Sequence, residues 1–197
     1  MIRSHLLPLL ALIFASQTTS AAQWDFNVYL DNKRIGTHTF TVTRTEDGDR
    51  IVRSDARFDV TVLFVPVYRY RHSAEERWRD NCLQAIETET TVNGKHSAVT
   101  GQRGNNAFAL TVTEGEQTLE RTLPDCISSY AYWDMSTLRR HDRLLNSQTG
   151  SYEPVTFDTQ GPGLIELRGA NFAIDLAYAA GQWQGLSTLR DGRVLEY

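Results

Sequence analysis

Apolar and polar residues alternate with a period of two along most of this chain, the pattern of strands with one buried face. Trp24, Phe26, Val28 and Leu30 alternate with Asp25, Asn27, Tyr29 and Asp31. Asp31-Asn32-Lys33 turns the chain into a second strand over about 34–44, and Asp47-Gly48 supplies the next hairpin, because glycine there accepts the positive φ of a tight turn. A third strand covers about 50–64, with Val52, Ala56, Phe58, Val60 and Val62 on one face and Arg53, Asp55, Arg57 and Asp59 on the other. Pro66 predicts a bend or strand end, since proline has no N–H for a ladder. Beyond it, Tyr68, Tyr70, His72, Ala74, Glu76 and Trp78 share a face opposite Arg69, Arg71, Ser73, Glu75, Arg77 and Arg79.

Further strands are predicted at about 82–92, 96–103, 106–113 and 117–122, jointed at Asn93-Gly94, Gly104-Asn105 and Gly115. The rhythm then changes. From Ile127 to Arg140, Tyr130, Trp133 and Leu138 recur every three to five residues, with Ser128 or Ser129 in place as an N-cap, which predicts the one helix. The stretch 144–150 reads as an irregular loop, and strands resume at about 152–159, 163–168, 172–179, 182–190 and 193–197, the last pair closed by Asp191-Gly192. About a dozen strands and one helix make an all-β fold: a curved antiparallel meander forming a barrel or half-barrel, with the helical segment as a lid over one mouth.

The amino terminus breaks this pattern. Arg3 is followed by an apolar run from Leu6 to Ala15 and by small residues at Ser20 and Ala22, which predicts a signal peptide over residues 1–22. The expected remainder, 23–197, is the length of a single domain. Without Arg3, 19 basic residues face 24 acidic ones, a balance of −5, which excludes the basic stripe that a nucleic-acid partner needs. Cys82 and Cys126, the only cysteines, read as a disulfide in an exported chain. Two buried thiols are the alternative. Neither cysteine lies at the cleavage site, so no lipid anchor is expected and the localisation is periplasmic or secreted.

Candidate chemistry is sparse. His38, His72, His96 and His141 remain after cleavage, and none is spaced from another like ligands on one element, so no metal site is expected. No nucleophile elbow, phosphate loop or dinucleotide fingerprint is present, and no cofactor or catalytic residue is assigned. His72 and Glu76 share a face with Tyr68, Tyr70 and Trp78; a carboxyl group buried there would have a raised pKa, as a general acid requires. The plainer reading pairs both groups with neighbours at the sheet rim. Phe58, Val60, Val62 and Phe64, continued by Tyr68 and Tyr70, form the richest apolar stretch. They either fill a closed barrel or line a cavity for an apolar ligand, with Tyr130, Tyr132 and Trp133 as its lid or its plug. The arginines alternating along 53–59 and 69–79 argue against a membrane-spanning barrel, whose outward faces must be apolar.

The opening Trp24-Asp25-Phe26-Asn27-Val28-Tyr29-Leu30-Asp31 with Ile35-Gly36-Thr37-His38 resembles a family of exported bacterial proteins known only as a domain of unknown function. Glu76-Arg77-Trp78, Asn81-Cys82-Leu83, Tyr130-Ala131-Tyr132-Trp133, Leu144-Leu145-Asn146 and Gln148-Thr149-Gly150 carry the same resemblance across nearly the whole chain. More distantly, the chain resembles envelope proteins of the lipoprotein-carrier type, built as an open β-barrel around an apolar cavity. Export, curved-sheet patterning and the aromatic-rich face together lead to the expectation of a protein that binds or carries an apolar, lipid-like ligand. The alternative is a non-enzymatic structural or interaction module of the envelope with a protein partner. An enzyme would require His72, Glu76 or His38 to converge in one cleft.

Overall fold

The computed structural model describes residues 21–197. The expected leader falls outside the described residues except for Ala21 and Ala22, which already belong to the first strand. Eight strands follow one another as an antiparallel meander: β1 (Ala21–Leu30), β2 (Lys33–Arg44), β3 (Arg50–Val62), β4 (Val65–Arg79), β5 (Cys82–Val92), β6 (Lys95–Arg103), β7 (Phe108–Glu114) and β8 (Gln117–Leu123). A connecting segment then carries β9 (Ser128–Ser129), α1 (Met135–Leu138), β10 (Arg143–Leu145) and β11 (Tyr152–Pro154). The meander resumes with β12 (Thr156–Gly161), β13 (Leu164–Arg168), β14 (Ala173–Ala179), β15 (Gln182–Arg190) and β16 (Arg193–Glu196). Because β16 pairs with β1, the two runs form one 13-stranded sheet in the order β12-β13-β14-β15-β16-β1-β2-β3-β4-β5-β6-β7-β8. The first and last of the described strands, β1 and β16, meet in the middle of this sheet, and its open edges are β8 and β12.

The segment 124–155 joins those two edges through the inside of the curve. β10 pairs in parallel with β9 and antiparallel with β11, making a second, three-stranded sheet. Neighbouring residues on a strand point to opposite faces, and here both faces are buried. Leu145, with Ile127 and Ala131, packs among Val52, Trp78, Leu83, Ile86, Phe108 and Leu110 of one arm. Leu144, with Leu138 and Val155, packs among Ile165, Leu167, Leu176, Tyr178 and Trp183 of the other. One short segment touches both arms, so the sheet curls around it, as sheets of more than about ten strands do. The half-barrel is therefore plugged by its own chain.

Several polar contacts fix the plug. The Cys82–Cys126 disulfide ties its start to β5, the Leu83 amide donates to the Ile127 carbonyl (2.9 Å), and the Thr88 hydroxyl donates to the Ser147 carbonyl (2.7 Å). The Tyr178 hydroxyl donates to the Tyr132 carbonyl (2.8 Å). Gly150, at φ +67°, lies so close to β7 that a Cβ there would meet Val112 at 2.2 Å.

Three expectations need correction. The helix is not the span Ile127–Arg140 but one turn, Met135–Leu138, and its N-cap is Asp134, whose carboxylate accepts from the Ser136 and Thr137 amides, rather than Ser128 or Ser129. Those two serines are in β9 and wholly buried, and Leu144-Leu145, expected in a loop, are in β10. The aromatic spacing that suggests a helix instead serves an extended chain packed on both sides. Pro66 does not end a strand: it lies inside β4 opposite Thr61, beside a register shift that leaves Val67 as the extra residue, a bulge position that proline tolerates. The chain reverses earlier, at Leu63-Phe64.

Candidate functional site

Alternation along β2, β3 and β4 turns a line of polar side chains toward the interior, where each finds a partner. His38 lies between the Tyr197 hydroxyl at Nδ1 and the Ser54 hydroxyl at Nε2, both at 2.9 Å. His72 Nδ1 meets the Thr90 hydroxyl at 2.9 Å. Trp78 Nε1 donates to Glu76 at 2.9 Å, and the Tyr70 hydroxyl donates to Gln148 at 3.3 Å. Among the described residues, no buried side-chain nitrogen or oxygen lacks a partner. Burial lowers the His38 pKa to about 3, helped by the charge of His72, and lowers that of His72 to about 4. Both rings are thus neutral at neutral pH. Burial raises the Glu76 carboxyl group against the hydrogen bonds from Ser129 and Trp78.

The ionisable groups along this line are spread apart. His72 and Glu76 are four residues apart on β4, about 13 Å at the rise of a strand. His38 and His72 flank Ala56 across two strand spacings, about 10 Å. Two surface depressions of about 480 Å³ and 450 Å³ lie on the outer face, lined by residues such as Arg53, Glu75 and Glu87, and by Arg77, Thr100 and Gln102. His38, His72 and Glu76 line neither. The charges of that outer face pair with one another: Arg53 with Glu75, Arg57 with Asp55, and Arg69 and Arg71 with Asp59. No cluster of three or more His, Cys, Asp or Glu side chains that could hold a metal ion occurs among the described residues.

The residues proposed to line a cavity divide into two groups. Phe58, Val60, His72, Glu76 and Trp78 are buried, and Tyr68, Tyr70, Tyr130 and Trp133 are partly buried. The aromatic rings pack on their neighbours: Phe58 stacks on Tyr70 at 5.1 Å, Tyr70 on Tyr68 at 6.4 Å, and Trp133 meets Trp78 edge to face at 5.8 Å. Trp133 is also covered by the Arg50 guanidinium at 4.7 Å, which pairs with Asp134 at 2.6 Å. Val62 and Phe64 leave the inward row. Val62 is half exposed and Phe64 is 99% exposed, at the tip of the β3–β4 hairpin.

That tip is the most unusual surface on the molecule. Val62, Leu63, Phe64, Val65, Pro66 and Val67 are consecutive, apolar and all exposed, Leu63 at 87%. Asn93, in the adjoining β5–β6 turn, donates its amide to the Arg69 carbonyl at 2.9 Å, so that turn ends level with Arg69. The hairpin continues beyond it by about three residue pairs, roughly 10 Å. Its two-residue turn holds Leu63 at φ +47° and Phe64 at φ +67°, a geometry that normally selects Asn-Gly. The apolar run is plain in the sequence, but the period-two pattern places half of it inside. What sequence reasoning missed is the turn, because Leu-Phe carries no turn signal.

No helix among the described residues is long and apolar enough to cross a membrane. No curated protein and no solved structure matches the chain, so the resemblance to lipoprotein carriers gains no support from a match. The model of the family described as a domain of unknown function, DUF6134, matches residues 26–197, and the chain belongs to that family.

Proposed function

We propose that this protein is a non-enzymatic interaction module of the cell envelope, exported and disulfide-bonded, which docks through the tip of its β3–β4 hairpin. The observation that carries this reading is the run Val62–Val67, exposed on every side of a protein whose interior is otherwise packed. Folded monomers seldom leave contiguous apolar surface in water unless something covers it. The Cys82–Cys126 bond supports an oxidising compartment outside the cytoplasm, and the leader pattern around Arg3 and Leu6–Ala15 supports export.

Carriage of an apolar ligand is the weaker reading. It needs a lumen, and the space within the curve holds the segment 124–155 together with Trp78, Phe108 and Trp183. An enzyme is weaker again, because the inward histidines and Glu76 are separated and do not reach an open cleft. Fractionation of cells expressing the full chain tests the proposal. The wild-type protein should follow the envelope fraction, and Leu63→Asn/Phe64→Gly should move it to the soluble extracytoplasmic fraction. Equal partition of the two proteins would refute docking through the tip.

A further inference from the structure

The β3–β4 tip is apolar around its whole reversal: Val62 and Val65 are cross-strand partners on one face, Pro66 lies on the other opposite Thr61, Leu63 and Phe64 make the turn, and no polar side chain interrupts Val62–Val67. A protein groove would have to be apolar all around such a finger. It would also meet only six residues, far fewer than the 20–30 or so a side of an ordinary stable interface, which argues equally against a second copy of this chain. A lipid layer meets all sides alike. The backbone suits one too: in the Thr61/Pro66 pair next to the closing pair, proline has no amide to strand, and Lys33 Nζ donates to the Thr61 carbonyl at 3.1 Å.

Charge at the foot of the hairpin points the same way. The turns on either side carry Lys33, Arg34, Lys95 and Arg190 against Asp191, while Arg193 is neutralised by Asp31 at 2.7 Å. The whole chain is acidic, with a net charge of −4, and the next turn out holds Glu114 and Glu116. Basic groups are thus gathered around the apolar β3–β4 tip, where lipid phosphates would lie. Tyr68, half buried just below the tip, adds an aromatic ring at the depth where such rings favour a bilayer interface. The roughly 10 Å by which the tip passes the β5–β6 turn matches the depth to which apolar faces enter the boundary between headgroups and acyl chains.

Resting on the docking reading above, the geometry points to a phospholipid bilayer as the partner, with Leu63 and Phe64 inserted among the acyl chains and the basic residues of the adjoining turns at the headgroups. Co-sedimentation of the purified, disulfide-bonded protein with vesicles of phosphatidylethanolamine and phosphatidylglycerol tests this. Wild-type protein is expected in the vesicle pellet. Leu63→Asn/Phe64→Gly should bind at least about tenfold more weakly, since each side chain removed supplies at least a factor of that order when buried. This variant places the preferred residues in the turn, so its melting temperature should be equal or higher, which separates lost docking from lost folding. The charge reversal Lys33→Glu/Arg190→Glu should weaken binding by about fivefold or more. Wild-type protein left in the supernatant, or either variant binding as well as wild type, overturns the inference. If vesicles fail while envelope fractionation still depends on the tip, the partner is a protein and only the bilayer assignment falls; if both fail, docking through the tip falls as well.

Discussion

Leu63 and Phe64 combine two costs in one place, since each puts a large apolar side chain in water and each holds a non-glycine residue at positive φ. The second costs on the order of 1 kcal/mol per residue for side chains with no local hydrogen bond to offset it. Leu63→Asn/Phe64→Gly should therefore raise stability by about 1–2 kcal/mol in denaturant unfolding. A loss of stability would mean that the tip contributes to the fold. The interior histidines make a second residue-level prediction. Their folded pKa values of about 3 and about 4 lie below the ordinary imidazole value of 6.5, so the unfolded chain takes up protons first. Stability that is full above about pH 6.5 should fall as the pH drops toward 4, by up to about 3 kcal/mol for each ring. His38→Gln/His72→Gln should flatten that slope, and an unchanged slope in the double variant would show that the rings are not held neutral. Glu76 has the opposite sign, because burial raises its folded pKa. Its contribution is present below the unfolded pKa and is lost as pH rises through the folded one, so Glu76→Gln should gain on wild type as the pH rises above the ordinary carboxylate range. That His72, Glu76 and Trp78 share a face is legible from alternation on their strand, but that the face is buried and not at the sheet rim is not. The partners of His38 are not legible either, because Tyr197 and Ser54 reach it from other strands.

Among the elements, the long strands are legible because most have one face in the core and one in water, as β3 and β5 do. The plug was not legible, for the converse reason: β10 buries Leu144 and Leu145 on opposite sides, which erases alternation, and helical spacing takes over where no helix forms. Pro66 misled in a similar way, since its missing amide is harmless at a bulge on a projecting hairpin. The plug is predicted to hold the two arms of the sheet together. Leu145→Ala should cost about 2–5 kcal/mol, and Cys82→Ala/Cys126→Ala about 4 kcal/mol on the loop-entropy account of a 44-residue separation. If the cysteine variant unfolds at the same denaturant concentration as wild type, the plug is fastened by its other contacts alone.

At the scale of the molecule, the meander and the disulfide follow from sequence pattern, whereas the extent of the helix and the state of the interior do not. Phe58, Val60, Tyr68 and Tyr70 read equally well as the lining of a lumen or as filling; in the fold they pack with Val28, Ile35, Leu195 and Tyr197, while the path of residues 124–155 fills the space against the other two clusters. That path gives the half-barrel a solid centre and leaves the outside of the molecule to make its contacts. Native mass spectrometry of the full chain, purified without detergent, tests this most directly. The account predicts the mass of the disulfide-bonded polypeptide alone, whereas a retained apolar molecule, released by organic extraction and absent after it, would contradict the filled interior.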